Sequence, residues 1–221
     1  GYSVYDSDTA GNHWVQDAAG QPAVGSVWPG PCVFPDFTRA DTRAWWAGLY
    51  KDFLGQGVDG VWNDMNEPSV FDAPNKTLPL DARHRADADL GGPGNHARYH
   101  NVYGMQMARA TRQGFLAAGR TEPFVLTRAG FLGSQRYAAT WTGDNTADWP
   151  HLAESVPMVL SLGLSGQPFA GPDIGGFKDR GDGALFARWM GLGAFLPFAR
   201  GHTAKQNGDK EPWSFGPEVE A

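Results

Sequence analysis

Along this chain, short apolar runs bounded by turn residues alternate with stretches in which apolar residues recur every three or four positions. That is the pattern of strands exchanging with amphipathic helices. Five runs read as strands: 58–63, 123–127, 137–142, 167–171 and 195–199. Four helices are predicted around them. The first, 41–54, places Trp45, Leu49 and Phe53 on one face and stops at Gly55. The second, 102–118, carries a stripe of Met105, Ala108, Thr111 and Phe115 and stops at Gly119. The third opens at Asp148-Trp149-Pro150, where Asp suits the N-cap and Pro the first turn, and runs towards Leu162 with a kink predicted at Pro157. The fourth, 182–190, follows an Asp-rich turn and ends at Gly191. This alternation argues for an α/β architecture with parallel strands. The segment 71–96, rich in Asp, Gly and Pro, reads as a long loop between a strand and its helix. Loops longer than about 12 to 15 residues usually carry function or are disordered. The opening residues, Tyr2 to Asp8, read as loop-like, and no repeat, low-complexity tract or linker is visible.

The polar residues concentrate at the ends of the predicted strands. Trp62-Asn63-Asp64-Met65-Asn66-Glu67-Pro68 follows one apolar run, and Trp141-Thr142-Gly143-Asp144-Asn145 is built the same way. Arg128, Asp173 and the pair Arg200 and His202 each follow another strand. In a (β/α)8 barrel all strands are parallel, so their C-terminal ends open onto the one face that carries the chemistry. Two carboxylates on such ends are the equipment of glycoside hydrolysis, in which one attacks or activates water and the other protonates the leaving oxygen. The spacing of Asp64 and Asp144 fits strands two places apart in a barrel. A strand-end Asp can also be a helix N-cap or turn residue, and Asp41, Asp148 and Asp182 read that way. Glu67 competes with Asp64 but, three residues further on, is expected in supporting structure.

Composition sharpens this. At 221 residues, 41% apolar and 13% aromatic, the chain suits a soluble globular domain with a substantial core. Nine Trp and thirteen Phe exceed what such a core needs, and sugar C–H faces stack on aromatic rings. A net charge of -6 without a basic stripe argues against nucleic acid as a partner. No apolar stretch approaches the roughly 18 to 20 residues of a membrane span, and no leader pattern opens the chain, which begins at Gly1 and leaves an upstream start open. Cys32 is the lone cysteine, so no internal disulfide forms and a reducing compartment is tolerated. Localisation stays open, leaning towards the cytoplasm. His84, His96 and His100 match no standard metal-site spacing, no glycine loop is shaped to cradle phosphate, and no cofactor is expected.

The three segments Trp62-Asn63-Asp64-Met65-Asn66-Glu67-Pro68, Trp141-Thr142-Gly143-Asp144-Asn145 and Gly171-Pro172-Asp173-Ile174-Gly175-Gly176-Phe177 resemble the signature segments of glycoside hydrolase family 31, in its α-glucosidase branch. Trp28-Pro29-Gly30, Phe34-Pro35-Asp36-Phe37-Thr38, Arg43-Ala44-Trp45-Trp46, His100-Asn101-Val102-Tyr103-Gly104 and Arg200-Gly201-His202-Thr203 match as well, in family order across nearly the whole chain. The resemblance implies a (β/α)8 barrel, a retaining exo-acting α-glucosidase and an α-linked gluco-oligosaccharide substrate. It makes Asp64 the nucleophile and Asp144 the acid/base, with carboxyls roughly 5 to 5.5 Å apart. Asp64 must stay ionised, helped by a cation such as Arg200, and Asp144 must start protonated, helped by Trp141 and the charge of Asp64. By the same resemblance Arg128, Asp173 and His202 bind sugar hydroxyls, and Trp28, Trp62, Met65, Trp141 and Phe177 form apolar walls. Transglucosylation, elimination by a lyase and non-catalytic sugar binding are the alternatives.

Complete family members begin the barrel earlier and carry β-sandwich domains on both sides, so the chain reads as the last five βα units of a barrel. An open barrel exposes parallel strand edges and apolar faces. Expressed alone, residues 1–221 are therefore expected to aggregate or melt without cooperativity. A monomer with one sharp calorimetric transition would contradict this.

Overall fold

The α/β reading holds in a computed structural model that describes residues 1–221. The chain divides after Ala138 into two units, 1–138 and 139–221. In the first, β3 (Gly60–Asn63) lies parallel to β6 (Phe124–Thr127), with Gly60 opposite Phe124 and Asn63 opposite Thr127. Helices α2 (Ala40–Leu54) and α3 (His96–Ala117) pack together in the same unit. The stripe Met105, Ala108, Thr111 and Phe115 is buried as its spacing requires, and Leu54, Ala108, Phe115 and Val125 form one core cluster.

The face of α2 is not the predicted one. Phe53 is exposed, and the buried positions are Thr42, Arg43, Ala47 and Leu54, joined by Trp46 and Tyr50. Periodicity of apolar residues misses this face because Arg43 and Thr42 are buried through hydrogen bonds, Arg43 donating to the Phe37 carbonyl at 2.9 Å and Thr42 meeting His13 Nδ1 at 3.1 Å.

Further elements fall outside the predicted set. The opening residues form α1 (Ser3–Gly11), whose sequence has weak helix propensity and is held from outside. Trp45 Nε1 donates to Ser7 Oγ, Trp14 Nε1 donates to Thr9 Oγ1, and the Tyr5 ring stacks on Trp14. The hairpin of β1 (Val24–Val27) and β2 (Gly30–Val33) turns at Trp28-Pro29, and the predicted 71–96 loop contains a short antiparallel ribbon, β4 (Arg83–His84) with β5 (Gly94–Asn95).

In the second unit β7 (Ala139–Trp141) runs parallel to β8 (Ala170–Gly171). Helix α4 (Trp149–Leu164) is assigned unbroken through Pro157, and α5 (Gly183–Gly193) follows β9 (Asp173–Ile174). Asp148 and Asp182 are N-caps, accepting from His151 N and Leu185 N at 2.8 Å each. The predicted strand at 195–199 is instead turn and bend, and the pairing segment is β10 (Arg200–Gly201), parallel to β9. Pro197 removes a ladder donor from the apolar run, and Phe195 is exposed, so the strand forms only beyond them. A Cβ on Gly171 would lie 1.7 Å from the Phe198 carbonyl oxygen, so only glycine permits this approach. No helix is long and apolar enough to cross a membrane.

Gly104 of α3 forms a tight seam near the ends of β3 and β6, since a Cβ there would meet the carbonyls of Asn66 and Ala129 at 2.8 Å. Gly104→Ala is therefore expected to destabilise the fold by about 1–3 kcal/mol, measured by denaturant unfolding of the full-length protein. Unchanged stability would mean that α3 can shift freely.

Candidate active site

Because β3 and β6 are parallel and in step, the residues after them emerge at the same end. Asp64 follows β3 and Arg128 follows β6, with Arg128 N donating to the Asn63 carbonyl. The two side chains meet, Arg128 Nη1 lying 3.0 Å from Asp64 Oδ1. Arg128 Nε and Nη2 reach the two oxygens of Glu67 at 2.7 and 2.8 Å, a two-pronged grip that fixes the guanidinium plane. Ser69 Oγ donates to Glu67 Oε2 at 2.6 Å. Burial alone would raise the Glu67 carboxyl, but Arg128 and Ser69 outweigh it and hold it below the usual carboxylate range.

The turn between these groups is pinned. Met65 has φ of 59°, a left-handed conformation that costs a non-glycine residue about 1–2 kcal/mol, and its Sδ accepts from Arg128 Nη2 at 3.1 Å. Asn66 is buried and spans the two strand ends, its Nδ2 donating to Thr127 Oγ1 at 2.8 Å and its Oδ1 accepting from Ala129 N at 3.1 Å. Strand-end position suggested neither Asn66 nor the Glu67–Arg128 pair as a determinant of Asp64. The dense run of polar types around Asp64 was the available signal.

Trp62 is partly exposed, and Trp28 at the β1–β2 turn is 82% exposed. Trp28 packs edge-on against Phe71 with ring centroids 4.9 Å apart. Asp72 ties this hairpin to the segment after Asp64, accepting from Ser26 Oγ at 2.7 Å and Ser26 N at 3.1 Å.

The second unit gathers the remaining predicted residues. Asp144 is exposed three positions after β7, and Trp141 within that strand is buried. The Arg200 guanidinium lies over the Trp141 ring, 4.7 Å from its centroid, and its Nε donates to Asp173 Oδ1 at 2.7 Å. Phe177 stacks on His202 at 5.1 Å. Asn145, next to Asp144, donates from Nδ2 to the Asp173 carbonyl and accepts the Phe177 N–H on Oδ1, both at 3.0 Å, which joins the Asp144 turn to the Asp173 segment. An open cleft of about 490 Å³ is lined by Arg200, His202, Ile174, Phe186, Met190 and Lys210. Asp173 has no exposed surface, and burial pushes its carboxyl up to about 6; Arg200 pulls it down and the charge of Asp144 pushes it further up. Three histidines that fit no metal spacing come together in the first unit, their ring nitrogens 3.0 to 3.1 Å apart in a hydrogen-bonded row.

The family model for the glycosyl hydrolases family 31 TIM-barrel domain matches residues 1–221. The chain is 46% identical over 221 residues to alpha-glucosidase 2 of Bacillus thermoamyloliquefaciens, an alignment covering 99% of this chain and 27% of that protein. Among solved structures it is 55% identical to the Family 31 alpha-glucosidase from Bacteroides thetaiotaomicron, with a TM-score of 0.80, covering 94% of this chain and 32% of that one. It is 41% identical to the glucosidase II alpha subunit bound to alpha3-Glc2, with a TM-score of 0.91, covering 99% and 24%. This chain belongs to glycosyl hydrolase family 31 and comes from its (β/α)8 barrel domain. It spans just over a quarter of the length of the Bacillus relative.

The Asp173–Arg200 pair makes a pH prediction. With the folded carboxyl raised from 3.8 to about 6, the folded state holds this proton more tightly than the unfolded state. The stabilisation it gives is complete below pH 3.8 and is lost as pH rises through about 6. Arg200→Gln removes the downward pull and is expected to move the Asp173 titration above 6, read from its carboxyl carbon by NMR. An unmoved or lowered titration would show that Arg200 does not govern the carboxyl.

Proposed function

We propose that the full-length protein is a retaining, exo-acting α-glucosidase that removes terminal α-linked glucose from oligosaccharides. The observation that carries this reading is the Asp64 carboxylate at the C-terminal end of β3, paired with a guanidinium whose orientation Glu67 fixes. A nucleophile must be ionised and aimed, and Arg128 favours both. Glucosidases in the same family at 46 and 55% identity support glucose as the sugar.

In the first step Asp64 attacks the anomeric carbon while Asp144 gives its proton to the departing glycosidic oxygen, leaving a β-glucosyl ester on Asp64. Water then attacks the same carbon, Asp144 takes a proton from it, and the ester bond to Asp64 breaks. Two inversions retain the α configuration. Esterification removes the charge of Asp64, so the proton affinity of Asp144 falls between the steps and one residue serves as acid and then base. Asp173, Arg200, His202 and the outer nitrogens of Arg128 supply hydrogen bonds to sugar hydroxyls. Trp62, Met65, Trp141 and Phe177 supply apolar walls, and Trp28 with Phe71 offers an aromatic platform for the sugar beyond the cleaved bond. Passing the glucosyl group to a second sugar instead of water would make a transglucosylase on the same ester. None of these steps calls for a metal or an organic cofactor.

Trapping tests the assignment. An α-glucose-configured mechanism-based label on the full-length protein should modify Asp64, located by peptide mass spectrometry, and Asp64→Ala should lose at least about 10⁴-fold in kcat while staying folded. Asp144→Ala should be rescued in part by substrates whose leaving groups need no proton. Label on another residue, or wild-type rates in both variants, would remove these carboxylates from the mechanism.

A further inference from the structure

The first unit contains a buried polar row that the chemistry above leaves unused. Asp36 and His84 have side chains with no exposed surface, His96 is fully buried, and His100 is partly so. His84 Nδ1 lies 2.9 Å from Asp36 Oδ1, His84 Nε2 lies 3.0 Å from His96 Nδ1, and His96 Nε2 lies 3.1 Å from His100 Nδ1. Thr77 Oγ1 closes the row, 3.4 Å from His100 Nδ1 and 3.3 Å from His96 Nε2, and donates its proton to the Pro68 carbonyl at 2.7 Å.

With the three rings neutral, the row has one self-consistent direction. Asp36 accepts on Oδ1 from the Thr38 hydroxyl and on Oδ2 from Arg85 N, and these bonds, with His84, keep its carboxyl below the usual range against the upward push of burial. An ionised Asp36 only accepts, so a neutral His84 carries its proton on Nδ1 and presents Nε2 as an acceptor. His96 then donates from Nδ1 and is left with an accepting Nε2. Burial, with His84 and His100 alongside, lowers the His96 ring to about 3, so it remains neutral near pH 7. The single Thr77 proton is committed to Pro68, so the donor to His96 Nε2 is His100 Nδ1. One carboxylate thus sets the tautomer of three rings in sequence.

The far end of the row is the segment that carries the grip on Arg128. Pro68 stands between Glu67 and Ser69, and Ser69 and Val70 pair back onto Thr77 and Lys76. Packing alone would be served as well by apolar side chains of similar volume, whereas a satisfied polar row specifies one geometry. We propose that Asp36, His84, His96, His100 and Thr77 form a positioning relay that anchors Pro68 and so sets Glu67, Arg128 and the Asp64 carboxylate. These are positioning residues, not catalytic ones, and their action on turnover rests on the α-glucosidase reading.

The test uses the full-length protein with a nitrophenyl α-glucoside and circular dichroism to score folded molecules. Thr77→Val keeps shape and deletes the hydroxyl, Thr77→Ser restores it, and Asp36→Asn keeps shape and removes the charge that directs the row. Per folded molecule, Thr77→Val and Asp36→Asn should each lower kcat about tenfold with little change in KM. Thr77→Ser should recover most of the loss, and the double variant should be no worse than either single one. Unchanged kcat per folded molecule, or fully additive losses, would overturn the relay. Nitrogen-15 NMR reads it without substrate: the wild type should show Nδ1–H tautomers at all three histidines, and both variants should shift the Arg128 Nε–H signal. Other tautomers, or a static Arg128 signal, would also overturn it. A wild type inert on every α-glucoside but with these NMR responses would sink the α-glucosidase reading and keep the structural relay.

Discussion

One guanidinium shared between two carboxylates organises the strand ends of the first unit. Arg128 has donors enough for both Glu67 and Asp64, but its planar fork can satisfy Glu67 with two nitrogens only in one orientation, which directs the third nitrogen at Asp64. The strain of Met65, the span of Asn66 between strand ends and the hydroxyl of Ser69 all act on that arrangement. If Glu67 were absent, Arg128 would still neutralise Asp64, but its plane would be free to turn. The charge would be kept and the aim lost.

The two carboxylates of the unit differ because their surroundings differ. Both oxygens of Glu67 are taken up by protein donors, although its side chain is about as exposed as that of Asp64, 33% against 31%. That division suits a fixed support beside the carboxylate proposed as nucleophile. In the second unit the corresponding tension falls on Asp173, buried without surface and held by an arginine that also lies over Trp141. The Trp141 ring beside this pair is buried, and burial away from water makes each charge count for more.

Much of this was legible from residue order, and the failures have physical causes. Alternation and strand-end polarity put Asp64 and Arg128 directly after parallel strands, where the structure has them, and parallel strands in step bring their following residues side by side. The stripe on α3 was visible because its buried positions are apolar or small. The face of α2 was not, because Arg43 and Thr42 are buried by hydrogen bonding, which periodicity does not weigh. Helix α1 was invisible because tertiary contacts hold it against its propensity, and the final strand was misplaced because Pro197 interrupts an apolar run that otherwise looks like one. The Glu67–Arg128 grip joins residues 61 positions apart, a pairing that a single sequence does not announce.

Asn66 has one more consequence. Its amide ties the end of β3 to the end of β6 on both its oxygen and its nitrogen, independently of anything in the 71–96 segment. The backbone on either side of Asp64 is thereby fastened to the neighbouring strand, while the aim of its side chain rests with Arg128 and Glu67. Insertions or deletions in that segment can disturb the aim of Asp64 through Thr77 and Pro68, but not the tie between the two strand ends. Stitching of this kind separates where a strand end sits from how its carboxylate is aimed.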